Sequence, residues 1–169
     1  MTKNPDTSQD EVTAAEPRWL RGEELATWMS MARVLTLLLP ALERRLERDA
    51  DLNWMEYHVL AKLSEQEGRT MRMSELAGLA SASLSRLSHV VKRLEGRGYI
   101  RRETDPCDGR YTNATLTCEG FGKLAASAPA HVDAVRALIF DALEPGEAVR
   151  LKSAFDRIYA AVDAAGDGC

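Results

Sequence analysis

Seven side chains between positions 81 and 93 have the types and spacing to meet a polyanion: Ser81, Ser83, Ser85, Arg86, His89, Lys92 and Arg93. On a helix advancing about 100° per residue, Ser85, Arg86, His89, Lys92 and Arg93 share one side, opposite a stripe of Leu84, Leu87, Val91 and Leu94. A guanidinium, an imidazole and hydroxyls suit hydrogen bonding to base edges. Point charges further along need only backbone phosphates. Ser81 or Ser83 can cap this helix, and small hydroxyls at a helix start let a phosphate approach unpaired N–H groups. Ser83, Ser85, Arg86 and His89 are therefore expected at bases, and Ser81, Lys92 and Arg93 at phosphates. Further on, Thr104-Asp105-Pro106-Cys107-Asp108-Gly109-Arg110 is a turn dense in breakers. A ribbon tip with one arginine, oriented by Asp108 two residues away, suits a minor groove. Each feature alone also fits an ordinary solvated helix face or hairpin; their succession favours duplex DNA.

The bulk numbers bear on that reading in both directions. A chain of 169 residues, 45% hydrophobic and 28% charged, fits one soluble globular domain. Its formal net charge of −4 argues against a nucleic-acid partner. Between Leu84 and Arg102, however, six basic residues face one acidic residue, Glu95, so that segment is +5 and the remainder −9. A basic patch on an acidic body concentrates attraction at one place. Three cysteines (Cys107, Cys118, Cys169) without CxxC spacing suggest a reducing compartment. The amino terminus lacks the apolar segment of a signal peptide, and the longest apolar run, Val34 to Leu42, is too short to span a bilayer. A cytoplasmic protein with no membrane partner is expected. Neither GxSxG, HExxH, a glycine-rich phosphate loop nor a paired Cys/His pattern occurs, so no enzyme, cofactor or metal is expected. His58 and His131 read as half-buried structural histidines.

The elements that must position these residues follow from periodicity. Residues 1–17 read as a disordered arm, with Trp19 expected to pack on the body. From about Glu23, Leu25, Trp28, Met29, Ala32, Leu35, Leu39, Leu42 and Leu46 form the stripe of a long helix that Pro40 should kink or break. Its width leaves apolar surface for a partner subunit. Asn53 and Glu56 have capping-box spacing for a helix running to about Glu67, burying Tyr57, Leu60 and Leu63. Met71 to Met73 read as an extended link, and Ser74 as the cap of a short helix, Glu75 to Leu79, with Leu76 and Leu79 inward. After the basic helix, stopped by Gly96 and Gly98, come two strands, Tyr99–Glu103 and Tyr111–Leu116. Thr117 should cap a helix from about Glu119 to Leu143, bent at Pro129, with Phe121, Leu124, Ala128, Val132, Val135, Leu138 and Ile139 on its apolar side. A last helix should bury Leu151, Ala154, Phe155, Ile158 and Val162. The fold expected is mainly α with a small β-wing: a winged helix-turn-helix lobe at 51–117 within one domain, 18–165, flanked by long dimerisation helices at 18–50 and 118–165.

Residues 71–120 resemble the DNA-binding half of the MarR family (multiple antibiotic resistance regulators). The likeness is carried by Arg-Met-Ser-Glu-Leu-Ala at 72–77, Leu-Ser-Arg at 84–86, Val-Lys-Arg-Leu-Glu-Gly-Arg-Gly-Tyr-Ile-Arg-Arg-Glu at 91–103, Asp-Pro-Cys-Asp-Gly-Arg at 105–110 and Leu-Thr-Cys-Glu-Gly at 116–120. More loosely it extends over residues 23–160. It implies a homodimeric transcriptional repressor on a palindromic operator in double-stranded DNA, released by a small-molecule ligand, an aromatic or phenolic effector. Ser85, Arg86 and His89 would enter the major groove, and Arg110, oriented by Asp108, the minor groove. The family's oxidation-sensing branch uses a cysteine near its first helices, and no cysteine precedes Cys107 here. The competing expectation is a winged-helix dimer that acts through protein partners without sequence-specific DNA readout.

Overall fold

The computed structural model describes residues 16–166. Most of the expected disordered arm, residues 1–15, therefore lies outside the described residues, as does Cys169. Two compact units are distinguished, 1–35 and 36–169. In the first, residues 16–21 lack regular structure and helix α1 (Gly22–Ala50) begins. Every described side chain there is exposed except the half-buried Met31 and Ala32. Trp19, expected to pack, is 70% exposed; its backbone N–H closes only a local turn onto Pro17 O.

The second unit opens with the rest of α1, which continues through Pro40, so that of the expected kink or break the break does not occur. Proline removes one donor, and the bonds of the neighbouring turns suffice to carry the helix past it. Only Leu42, Leu46 and Ala50 of α1 are buried; Leu25, Trp28, Met29, Leu35 and Leu39 of the expected stripe are exposed. By length and composition α1 is also apolar enough to cross a membrane. An unbroken run understated this, because the apolar residues are interleaved with isolated polar ones.

Helix α2 (Trp54–Ser64) opens on a complete capping box. Asn53 Oδ1 accepts from Glu56 N at 2.8 Å, and Glu56 Oε2 accepts from Asn53 N at 3.0 Å. It ends three residues earlier than expected, and a short 3₁₀ turn (Glu67–Arg69) follows. Then come β1 (Thr70–Arg72), α3 (Met73–Leu79), α4 (Leu84–Gly96), β2 (Ile100–Thr104), β3 (Thr112–Leu116) and α5 (Cys118–Leu138). After a 3₁₀ turn at Phe140–Ala142, α6 (Glu147–Gly166) closes the described chain. The sheet has three strands in the order β1-β3-β2, all antiparallel. The expected extended link is thus a third strand, with Met71 opposite Ala114 and the Thr70 and Thr115 hydroxyls 2.8 Å apart. The core lies between α2, α3, α4 and this sheet, around Val59, Leu60, Leu63, Leu76, Leu87, Val91 and Leu94.

Several expected faces differ. Ser74 does not cap α3, which starts at Met73 with Arg72 in the cap position and no side-chain bond. Leu79 is 53% exposed rather than inward. In α4 the buried stripe is Leu87, Val90, Val91 and Leu94, and Leu84 is left outside it. Helix α5 runs through Pro129 and buries Gly120, Leu124, Ser127 and Ala134, while Phe121, Val132 and Leu138 are exposed. In α6 no described residue is buried; Phe155, Ile158 and Val162 face solvent. Periodicity located apolar faces, but it missed Val90, Ser127 and Ala134 among the buried residues and could not tell whether this chain alone covers a face.

Between the sheet and α5 the chain is tightly stapled. Thr117 Oγ1 donates to Gly98 O at 2.7 Å and accepts from Gly120 N at 2.9 Å, capping α5 as expected. Gly120 has no room for a side chain: an added Cβ would collide with Tyr99 O and sit 2.8 Å from Leu116 Cδ1. Gly120→Ala should therefore destabilise the protein by about 1–3 kcal/mol, as overpacking does, measured as a lowered urea midpoint with unchanged slope.

Candidate nucleic-acid interface

Helix α4 is presented by its cap and its buried stripe. Ser83, not Ser81, supplies the cap, with Oγ accepting from Arg86 N at 3.3 Å. Ser81 sits in the preceding turn with φ of 47°, a left-handed conformation uncommon outside glycine. With the stripe turned inward, Ser85, Arg86, His89, Lys92 and Arg93 are all exposed on the other side. Ser85, His89 and Lys92 line one open hollow of about 520 Å³. A second, of about 230 Å³, lies between α4 and the wing, bounded by Ser88, Arg102, Arg110 and Thr112 among others. Leu84 and Ser88 of α4 and the wing residues Arg102, Arg110, Tyr111 and Thr112, separated in sequence, thus frame the second hollow.

The basic segment is less positive in space than in sequence. Arg93 Nε donates to Glu56 Oε1 at 3.0 Å, Arg97 Nη2 to Asp51 at 2.8 Å, and Arg102 Nε to Glu95 at 3.0 Å; Arg101 pairs with Glu103 at 3.0 Å. Among the described residues, only Arg86 and Lys92 of the six cations have no carboxylate within ion-pair distance. Arg93 is held on Glu56 yet remains 53% exposed, so its outer edge faces water.

At the wing tip, Arg110 Nε donates to Asp108 Oδ1 at 3.0 Å and Nη2 to Oδ2 at 2.6 Å, while the guanidinium stays 83% exposed. This two-pronged pair is the arrangement expected from spacing. It holds the Asp108 carboxyl below its ordinary range and limits the rotamers from which Arg110 can reach outward. Two residues behind it were not anticipated. Asp105, 8% exposed, accepts from Cys107 N at 2.9 Å and Asp108 N at 3.3 Å through Oδ1, and from Arg72 Nε at 3.1 Å through Oδ2. The Cys107 N–H first, then Arg72, keep its carboxyl below the usual aspartate range. The Arg72 guanidinium also lies 4.4 Å from the centre of the Tyr111 ring. Asp105 followed by proline is a readable turn signal, whereas Arg72 is 33 residues away and had none.

Away from this face, Trp54, Tyr57 and His58 of α2 meet His131 of α5. Ring centroids are 4.2 Å apart for Trp54–His58 and 4.4 Å for Tyr57–His131. Both histidines are half-buried, as expected, and neither Nδ1 has a hydrogen-bond partner by geometry. Burial pushes both imidazoles below 6.5, outweighing at His58 the weak pull of the Trp54 carbonyl and adding at His131 to the repulsion of His58. The cleft beside His131 measures about 10 Å³, space for one water at most. Among the described residues, no three His, Cys, Asp or Glu side chains are grouped to hold a metal ion.

A short helix, a turn, a basic helix and an arginine-tipped wing, in that order on one core, define a winged helix-turn-helix protein. The sequence pattern of the MarR family matches residues 52–112. The fold and sequence are similar to Sco3205, a MarR family transcriptional regulator from Streptomyces coelicolor whose crystal structure is in complex with DNA. Identity is 46%, covering 85% of this chain and 90% of that one, with a TM-score of 0.81. AbsC, a MarR family transcriptional regulator from the same organism, is 36% identical over 88% of this chain and 99% of its own, with a TM-score of 0.83. The transcriptional regulator HosA of Escherichia coli O111:H- is 34% identical over 79 residues, 47% of this chain and 57% of HosA. The chain thus spans just over half the length of the curated relatives it matches. The chain belongs to the MarR family of transcriptional regulators.

The two histidines give a pH signature. Because their folded values lie below 6.5, the unfolded chain binds more protons as pH falls through that value. Their contribution is fully present above 6.5, is lost as pH falls through the window below it, and levels off once the folded imidazoles protonate. Urea midpoints taken between about pH 7.5 and about pH 5.5 should fall, and His131→Gln should flatten the fall.

Proposed function

We propose that this chain is a cytoplasmic, homodimeric transcriptional repressor that binds a palindromic operator in double-stranded DNA and is released by a small aromatic or phenolic effector. The observation that carries the reading is that α4, whose Arg86, His89 and Lys92 are exposed, shares through Leu84 and Ser88 a hollow with an Arg110 fixed by Asp108. Ser83, Ser85, Arg86 and His89 contact base edges. Ser81, Lys92 and the outer edge of Arg93 contact phosphates, and Arg110 enters the minor groove with Asp108 as its brace. Sco3205, 46% identical over the aligned region and crystallised with DNA, supports DNA as the partner.

Pairing with a second copy accounts for the apolar surface. Trp28, Met29 and Leu35 of α1, and separately Phe155, Ile158 and Tyr159 of α6, are large apolar side chains left in water. A twin chain, rather than lipid, is the occupant that also doubles the number of bases read. For the effector, the support is the Trp54, Tyr57, His58 and His131 group, where two ring nitrogens lack partners beside aromatic faces. The neighbouring cleft, which His131 lines with Arg45, Leu46, Asp49, Ala50, Ser127 and Ala130, must widen to admit such a molecule.

Fluorescence anisotropy with a duplex enriched from random DNA checks the division of roles. Arg86→Ala and Arg110→Ala should each weaken binding by about 1–3 kcal/mol and relax sequence preference. Lys92→Ala should weaken all duplexes alike and lower the slope of log affinity against log salt by about one per chain. Unchanged affinity in both arginine variants would refute the assignment.

A further inference from the structure

We infer that Leu84 is a specificity residue whose side chain packs on the C5-methyl group of a thymine in each half-site. The inference rests on the DNA-reading role proposed above and extends it to a residue that role does not include. Leu87, Val91 and Leu94 are completely buried, yet Leu84, which the same periodicity assigns to their stripe, is 53% exposed. It occupies the first position of α4, immediately after the Ser83 cap, beyond the cover of the core. It is also the apolar side chain of α4 that lines both hollows of the candidate interface. On one side its neighbours are Ser85, Ser88, His89 and Lys92, on the other Arg102 and Arg110.

A branched apolar group, with Met73 and Tyr111 also lining the hollow on the wing side, is therefore held beside cations and hydroxyls on the face where a polyanion would dock. The thymine methyl is the apolar feature of the major-groove edge. Every purine edge would instead set hydrogen-bonding atoms against Leu84, leaving them without water or partner. The positive surroundings favour nucleic acid over an apolar protein surface as the occupant, and the first position of the helix is where base edges are approached most closely. Leu84 then discriminates by contact where Arg86 and His89 discriminate by hydrogen bonds.

The test uses the full chain and duplexes it enriches from a random pool. Each thymine is replaced in turn by deoxyuridine, which lacks only the methyl group. With the wild-type chain, one thymine per half-site should be sensitive, its replacement weakening binding about four-fold per methyl group. In Leu84→Ala the same replacement should have no further effect, whereas Leu84→Met should keep the sensitivity. Because Leu84 is half-exposed, matched thermal unfolding curves are expected for all three proteins. Wild-type sensitivity at no thymine, or the same sensitivities in Leu84→Ala, would overturn the inference alone. A pool that yields no enriched duplex would overturn the DNA-reading role and this inference with it.

Discussion

The buried carboxylate of Glu56 is the constraint on which the presentation of α4 depends. Because it is only 6% exposed, its oxygens need hydrogen-bond partners from the protein. One oxygen takes the Asn53 N–H and completes the α2 cap; the other takes Arg93 Nε from the back half of α4. Arg97, just past the end of α4, reaches to within 3.9 Å of the same carboxylate and donates to both Asp51 O and Asp51 Oδ2. Asp51 itself turns the chain out of α1 with φ of 48°. The end of α1, the start of α2 and the rear of α4 are thereby joined by charge-assisted bonds, and the front of α4 is aimed by what holds its rear. Removing either partner leaves a buried charge uncompensated, which is costlier than never having built the pair.

This arrangement changes how attraction and selectivity are divided. A segment that is +5 along the chain retains, among the described residues, two cations without carboxylate partners, Arg86 and Lys92. Bulk electrostatic pull is correspondingly modest for a polyanion binder, and precision of placement carries more of the burden. The wing obeys the same logic. Asp105 gathers two backbone N–H groups and Arg72, Asp108 grips Arg110, and the guanidinium projects outward from a braced rather than a loose tip.

Local chemistry was legible in the sequence where its partners lie close along the chain. The Asn53–Glu56 box, the Ser83 and Thr117 caps and the Asp108–Arg110 pair are all separated by three residues or fewer from the groups they bind. The Arg93–Glu56 and Arg72–Asp105 pairs, 37 and 33 residues apart, left no local trace. Strand β1 was missed because three residues become a strand only through pairing with β3. Leu84, Phe121 and the α6 stripe were misplaced for a different reason: periodicity reports that a face is apolar, not what covers it.

All of the proposed activity turns on two copies presenting two such faces to one duplex, since a single α4 and wing contact few bases. Sedimentation equilibrium of the full chain, alone and with a fluorescent copy of an enriched duplex, tests this most directly. The account predicts a dimer in the absence of DNA and two chains per duplex in its presence. A monomer at micromolar concentration, or one chain per duplex, would contradict it.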